Sequence, residues 1–144
     1  MRFDLEELAA PIENLKSELH DAYQALDDEW EAIDRKVRSL AIPCRVTLPL
    51  QPWGNMTERS LEWRKFKKTW RFCVVVKRPP GPHEKKKAKA ENREPAEFVD
   101  VCPLEQWTAQ ERMNLLQHVP KFFEQATSDT KAFIRRASRA KAAC

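Results

Sequence analysis

Apolar residues recur every seven positions at the start of the chain: Leu5, Ile12, Leu19, Leu26, Ile33 and Leu40. A second line, Leu8, Leu15, Ala22, Tyr23, Trp30 and Val37, follows three residues behind the first and then four. Steps of three and four place both lines on one narrow face of a helix. A heptad held this long favours a left-handed packed pair of helices over a lone surface helix. Pro11 has no backbone N–H and crowds the preceding turn, so it belongs in a first turn. A continuous helix is therefore expected from residue 11. A short helical lead-in at residues 4–8 precedes it, where Asp4 and Glu7 have the spacing of a capping pair. Pro43 should end the helix, because the residue before a proline avoids the α region. From residue 11 to 42 the rod would span about 48 Å at 1.5 Å per residue. That exceeds what a compact domain of this size needs. Three fates are open to the stripe: the chain's own sheet and C-terminal helix, a division between the chain's own core and a second copy, or a different protein. The interface candidates are Ile12, Leu15, Leu19, Tyr23, Leu26, Trp30, Ile33 and Val37.

After residue 43 the period changes to two. Cys44, Val46, Leu48 and Leu50 share a face, and Pro49 marks an edge strand or its end. Residues 51–60 form a loop, with Trp53 expected to fold back over a core edge. Residues 61–76 read as a hairpin turning at Lys67 and Lys68. This register pairs Phe66 with Thr69, Lys65 with Trp70, Trp63 with Phe72 and Leu61 with Val74. Leu61, Trp63, Trp70, Phe72, Val74 and Val76 then share the core face; Glu62, Arg64, Arg71, Cys73 and Val75 take the other. Two lysines are poor chemistry for a two-residue primed turn, so a wider loop is an alternative, and one of four residues keeps the same pairing parity. Residues 77–96 hold prolines and charge without a large apolar side chain, and read as a mobile linker. Residues 97–104 form a further strand, ended by Pro103. Thr108 and Glu111 make a capping box. Beyond them Met113, Leu115, Leu116, Val119, Phe122, Phe123 and Ala126 form an apolar face, continued by Phe133, Ile134 and Ala137. Pro120, or a new cap near Ser128, should kink or split this helix.

Strands in a run with helices at both ends argue α+β: a long N-terminal helix, an antiparallel sheet of three to four strands, and a C-terminal helix. One domain over residues 1–144 is expected, divided into helix (1–42), sheet (44–104, with linker 78–96) and C-terminal helical segment (108–142).

Charge changes this picture. Residues 1–40 carry eleven acids and five bases; the remainder carries eleven acids and twenty-one bases. An acidic helical end is joined to a basic body. The chain has two glycines, Gly54 and Gly81, so neither a P-loop nor a dinucleotide fingerprint can be written with it. The acidic start offers no signal peptide, and no apolar run approaches a membrane span. Cys44, Cys73, Cys102 and Cys144 are dispersed, as reduced thiols in a cytoplasm would be.

Candidate chemistry is sparse. Asp27, Asp28, Glu29, Glu31 and Asp34 cluster, but Glu31 with Arg35 and Asp34 with Arg38 have ion-pair spacing, so a solvated salt-bridged face is expected rather than a metal site. His20, His83 and His118 lie at unrelated places, and the thiols read as buried and inert, apart from a terminal, exposed Cys144. No catalytic residue, cofactor or metal is expected. The basic set Arg64, Lys65, Lys67, Lys68, Arg71, Lys77 and Arg78 meets one acid, Glu62. Arg64 and Arg71 oppose each other across the hairpin, a repulsion that an anion would relieve. Lys85, Lys86, Lys87, Lys89, Arg135, Arg136 and Arg139 extend the basic surface. The expected function is a non-enzymatic interaction module, a homodimer or part of a hetero-protein complex, joined through the N-terminal helix. The alternative is a nucleic-acid-binding accessory protein that uses the hairpin.

Overall fold

The computed structural model describes residues 2–51 and 56–143; Trp53 and Cys144 lie outside them. The fold is α+β. Helices α1 (Leu5–Glu13) and α2 (Lys16–Ser39) lead into strands β1 (Val46–Leu50), β2 (Glu58–Phe66) and β3 (Thr69–Arg78). Helix α3 (Pro82–Ala90), strand β4 (Phe98–Pro103) and helices α4 (Ala109–Leu115) and α5 (Val119–Ala143) follow. The sheet is antiparallel with order β1-β2-β3-β4.

The N-terminal rod is jointed. Asp4 caps α1 through the Glu7 amide, as its spacing predicts. Pro11, however, lies inside α1 rather than opening the long helix. At Asn14 and Leu15 the backbone stays in the right-handed region, but the Leu15 amide bonds to the Ile12 carbonyl, one residue tighter than α spacing. Helix α2 then stops at Ser39, before Pro43 can act. Ala41 takes φ of 49°, the left-handed conformation that closes helices and favours glycine.

The hairpin has the expected register throughout, including Trp63 opposite Phe72 and Arg64 opposite Arg71. The wider loop does not form. Lys67 and Lys68 make a two-residue turn with φ of 50° and 71°, the backbone of a primed turn, which matches strand twist. Pro49 sits on edge strand β1, where a missing donor costs least.

Residues 78–96 are not an irregular linker. Pro82 opens α3 at a position where its missing N–H costs nothing, and Lys and Ala carry the helix onward. A Schellman closure ends it: the Arg93 amide bonds to the Ala88 carbonyl and the Asn92 amide to that of Lys89, with Asn92 at φ of 54°. Glu84 accepts from the Arg93 guanidinium (2.6 Å) and the Ala96 amide (3.1 Å), which holds its carboxyl below the usual range.

In the C-terminal segment, Thr108 and Glu111 form the expected capping box. The split falls at a 3-10 turn, Leu116–His118, just ahead of Pro120. No second break occurs at Ser128; the Thr127 hydroxyl donates to the Phe123 carbonyl and the helix runs on.

The core lies between the sheet and α2, α4 and α5. Trp30, Phe72, Trp107 and Phe122 form a chain of ring contacts, with centroids 5.0–5.7 Å apart. Trp30 Nε1 donates to the Arg112 carbonyl (2.7 Å) and Trp107 Nε1 to that of Cys102 (2.9 Å), so both indoles are buried without an orphaned donor. The outer sheet face is not free. Ser60, Glu62, Cys73 and Val75 on it are buried.

Candidate functional site

The heptad stripe has two halves. From Leu26 onward it packs into the core: Trp30 and Val37 are fully buried, with Leu26 and Ile33 packed beside them. Ahead of Leu26 no described residue covers it. Leu5, Leu8, Ile12, Leu15, Leu19 and Tyr23 are all exposed, Ile12 to 70% and Leu19 to 50%, and Phe3 extends the line. Of the eight interface candidates, four therefore belong to the chain's own core and four remain on the surface. The division falls at Asp27, whose carboxylate pairs with Arg112 at α4. Arg112 also donates to the Leu104 carbonyl (3.1 Å). This pair spans 85 positions of sequence, so no local pattern could announce it.

The rest of the acidic cluster forms the expected helical pairs, Glu31 with Arg35 (3.2 Å) and Asp34 with Arg38 (2.8 Å). Among the described residues no three His, Cys, Asp or Glu side chains are grouped to hold a metal ion. The three described cysteines, Cys44, Cys73 and Cys102, do not converge. Cys73 and Cys102 occupy adjacent register positions on opposite faces of the sheet, and Cys44 precedes β1. Burial pushes the Cys73 thiol up to about 11, which keeps it protonated at neutral pH.

The basic hairpin is less open than its composition suggests. Arg71 pairs with Glu105, and Arg64 reaches Glu62 at 3.5 Å, so internal acids relieve their opposition. Lys65 lies over Trp70 (5.9 Å), Lys67 over Phe66 (5.4 Å) and Arg78 over Phe98 (5.6 Å). Lys77 is half-buried, while Lys65, Lys67, Lys68 and Arg78 are exposed. Trp63 is buried and Trp70 stacks on it at 6.3 Å, so neither offers the bare ring on which a base stacks.

A cleft of about 430 Å³ opens on the outer sheet face, lined by Arg45, Thr47, Glu58, Ser60, Glu62 and Lys77 among others. Glu62 is 2% exposed, yet both its oxygens are engaged. Ser60 Oγ donates to one (2.7 Å), and Arg64 and Arg45 approach the other at 3.5 and 3.9 Å. A carboxylate so occupied is a structural anchor.

A second bare apolar patch lies on α5, where Phe133 and Ile134 are exposed beyond the buried Phe122 and Ala126. Among the described residues no helix is long and apolar enough to cross a membrane. No protein-family model, curated protein or solved structure matches the chain.

Proposed function

We propose that this protein is a non-enzymatic interaction or assembly module, which binds its partner through the arm formed by α1 and the first turns of α2. The observation that carries this is the uncovered half of the heptad. Large apolar side chains aligned on one helix face gain stability from burial, at about 25 cal/mol per Å², and the described residues supply them no cover. The same helix is anchored to the body by Trp30 and Val37, so the arm is presented from a rigid base.

The test is the full chain carrying Leu15→Asp and Leu19→Asp. Both side chains lie outside the core, so the unfolding midpoint of dilute protein should hold. Sedimentation velocity should show the unaltered chain in a concentration-dependent assembly and the variant as a monomer. An unaltered chain that stays monomeric up to the highest attainable concentration would remove self-association and leave only a foreign partner.

A second reading, nucleic-acid binding by the hairpin, is favoured by one observation. Lys67 and Lys68 both adopt left-handed backbone, which costs a non-glycine residue about 1–2 kcal/mol, where Asn-Gly would fit with far less strain. Two exposed cations are thus held at a strained tip. Lys67→Asn with Lys68→Gly should stabilise the fold while weakening salt-sensitive binding of labelled single-stranded DNA or RNA, read by anisotropy. Absence of binding by the unaltered chain at low salt would end this reading.

A further inference from the structure

The arm carries one charge and the far end of α5 carries the other. Residues 2–25 hold six acids against Arg2 and Lys16. Residues 128–141 hold Lys131, Arg135, Arg136, Arg139 and Lys141 against Asp129 alone. Each segment also bears bare apolar side chains: Leu15, Leu19 and Tyr23 on the arm, Phe133 and Ile134 on the tail. On helical spacing, Glu7 and Glu18 lie on one edge of the arm stripe, three turns apart. Arg136 and Arg139 lie on one edge of the tail stripe, which runs through Phe133 and Ala137.

Within one molecule the two segments cannot meet. The arm leaves the body at Asp27, beside Arg112. The tail leaves at the opposite end of the buried part of α2: Thr130 and Lys131 share a groove with Leu40, Ala41, Ile42 and Pro43. The charges of Asp129 and Arg136 are also felt at Cys44. Along α2, Leu19 stands about 30 Å from Leu40 at 1.5 Å per residue, whereas the tail beyond Thr130 spans only about 20 Å, too short to reach it.

We infer that the occupant of the arm is the basic tail of a second copy, and that the exchange is reciprocal. Resting on the interaction-module reading above, this names its partner. Two copies related by a two-fold axis make the contact twice, acidic arm on basic tail and basic tail on acidic arm, which closes the assembly as a dimer. Pairing two arms with each other instead would set like charges along the same seam.

The experiment uses full-length chains with exposed charges reversed. One variant carries Glu7→Lys and Glu18→Lys, the other Arg136→Glu and Arg139→Glu. In the first, residues 2–25 carry four acids and four bases, and the edge of the arm turns basic opposite a basic tail; in the second, residues 128–141 carry three of each, and the edge of the tail turns acidic opposite an acidic arm. Sedimentation equilibrium at low salt should find each variant at least tenfold weaker in self-association than the unaltered chain. An equimolar mixture should restore a heterodimer, because the reversed edge of the arm then meets the reversed edge of the tail, and the unaltered arm meets the unaltered tail. Far-UV circular dichroism checks that each variant keeps its helix content. Variants that each associate as well as the unaltered chain would overturn the arm–tail pairing and leave arm-to-arm or foreign-partner binding standing. Failure of the mixture to re-associate would overturn it as well. Loss of association in Leu15→Asp with Leu19→Asp but not in the charge variants would separate the two ideas, keeping the module and rejecting the tail.

Discussion

The two halves of the heptad stripe are made of nearly the same residues at the same spacing, yet one half is core and the other is surface. Leu26, Trp30, Ile33 and Val37 face a sheet and two further helices; Leu8, Ile12, Leu15 and Leu19 face solvent. Helix propensity does not separate them, nor does the phase of the pattern. What separates them is the supply of opposing surface. The buried half also has directional anchors, the Trp30 indole on the Arg112 carbonyl and the Asp27 carboxylate on the Arg112 guanidinium. Periodicity thus reports that a face calls for burial, and only the tertiary fold decides who provides it.

The largest effect that would sharpen this contrast is a pair of truncations. Trp30→Ala removes a fully buried ring that contacts Phe72 and Trp107, and leaves the Arg112 carbonyl without its donor. A loss of about 3–5 kcal/mol is expected in denaturant unfolding. Leu19→Ala, about three turns away on the same stripe, should change the stability of dilute protein by less than about 0.5 kcal/mol. Comparable losses at both sites would mean that the two halves are equally buried, and the contrast would fail.

How far the amino-acid pattern could be read follows the same line. The hairpin register was legible because strand alternation has a period of two and a tight turn fixes parity, so Trp63 had to oppose Phe72. The Thr108 and Glu111 cap was legible because both partners sit within one turn. Helix α3 was missed because its residues lack large apolar side chains, although Pro82 and the run of Lys and Ala are local helix signals. Pro43 is the visible stop signal for α2, whereas an alanine in left-handed backbone closes it earlier. Burial of Ser60 and Glu62 on the outer face depends on arginines reaching over it, and no alternation rule covers that. For the candidate site, the stripe itself was plain in the heptad. Its division at Leu26 was not, since that rests on a partner 85 residues away.

A middle-sized effect is expected where the buried half ends. Ala41 holds φ of 49° at the close of α2, and its side chain is exposed. Ala41→Gly removes the left-handed strain but raises the entropy of the unfolded chain, so a net gain of up to about 1 kcal/mol is expected. The gain should appear in the global unfolding midpoint, because this end of α2 is part of the core. Amide exchange in the arm should not slow, because the arm's order does not draw on the way α2 stops. A variant that protected both halves together would show them to be one cooperative unit and would erase the distinction drawn above.

The smallest effect tests the boundary itself. Asp27→Asn removes the charge facing Arg112 but keeps the size of the side chain. The Asp27 side chain is 53% exposed, so the pair is screened and its loss should cost less than about 1 kcal/mol. Arg112 keeps its bond to the Leu104 carbonyl, and its own carbonyl still receives the Trp30 indole, so neither of these contacts is lost with the charge. The informative readout is therefore local. Amides of residues 24–28 should exchange faster in the variant, while those around Ile33 and Val37 keep their protection, which comes from apolar packing rather than from charge. Raising the salt should bring the unaltered chain toward the variant, since salt weakens an exposed pair and leaves the core alone. If instead the faster exchange spread through Ile33, the ion pair rather than the indole would be what fastens α2 to the body, and the boundary between arm and core would lie further along the helix.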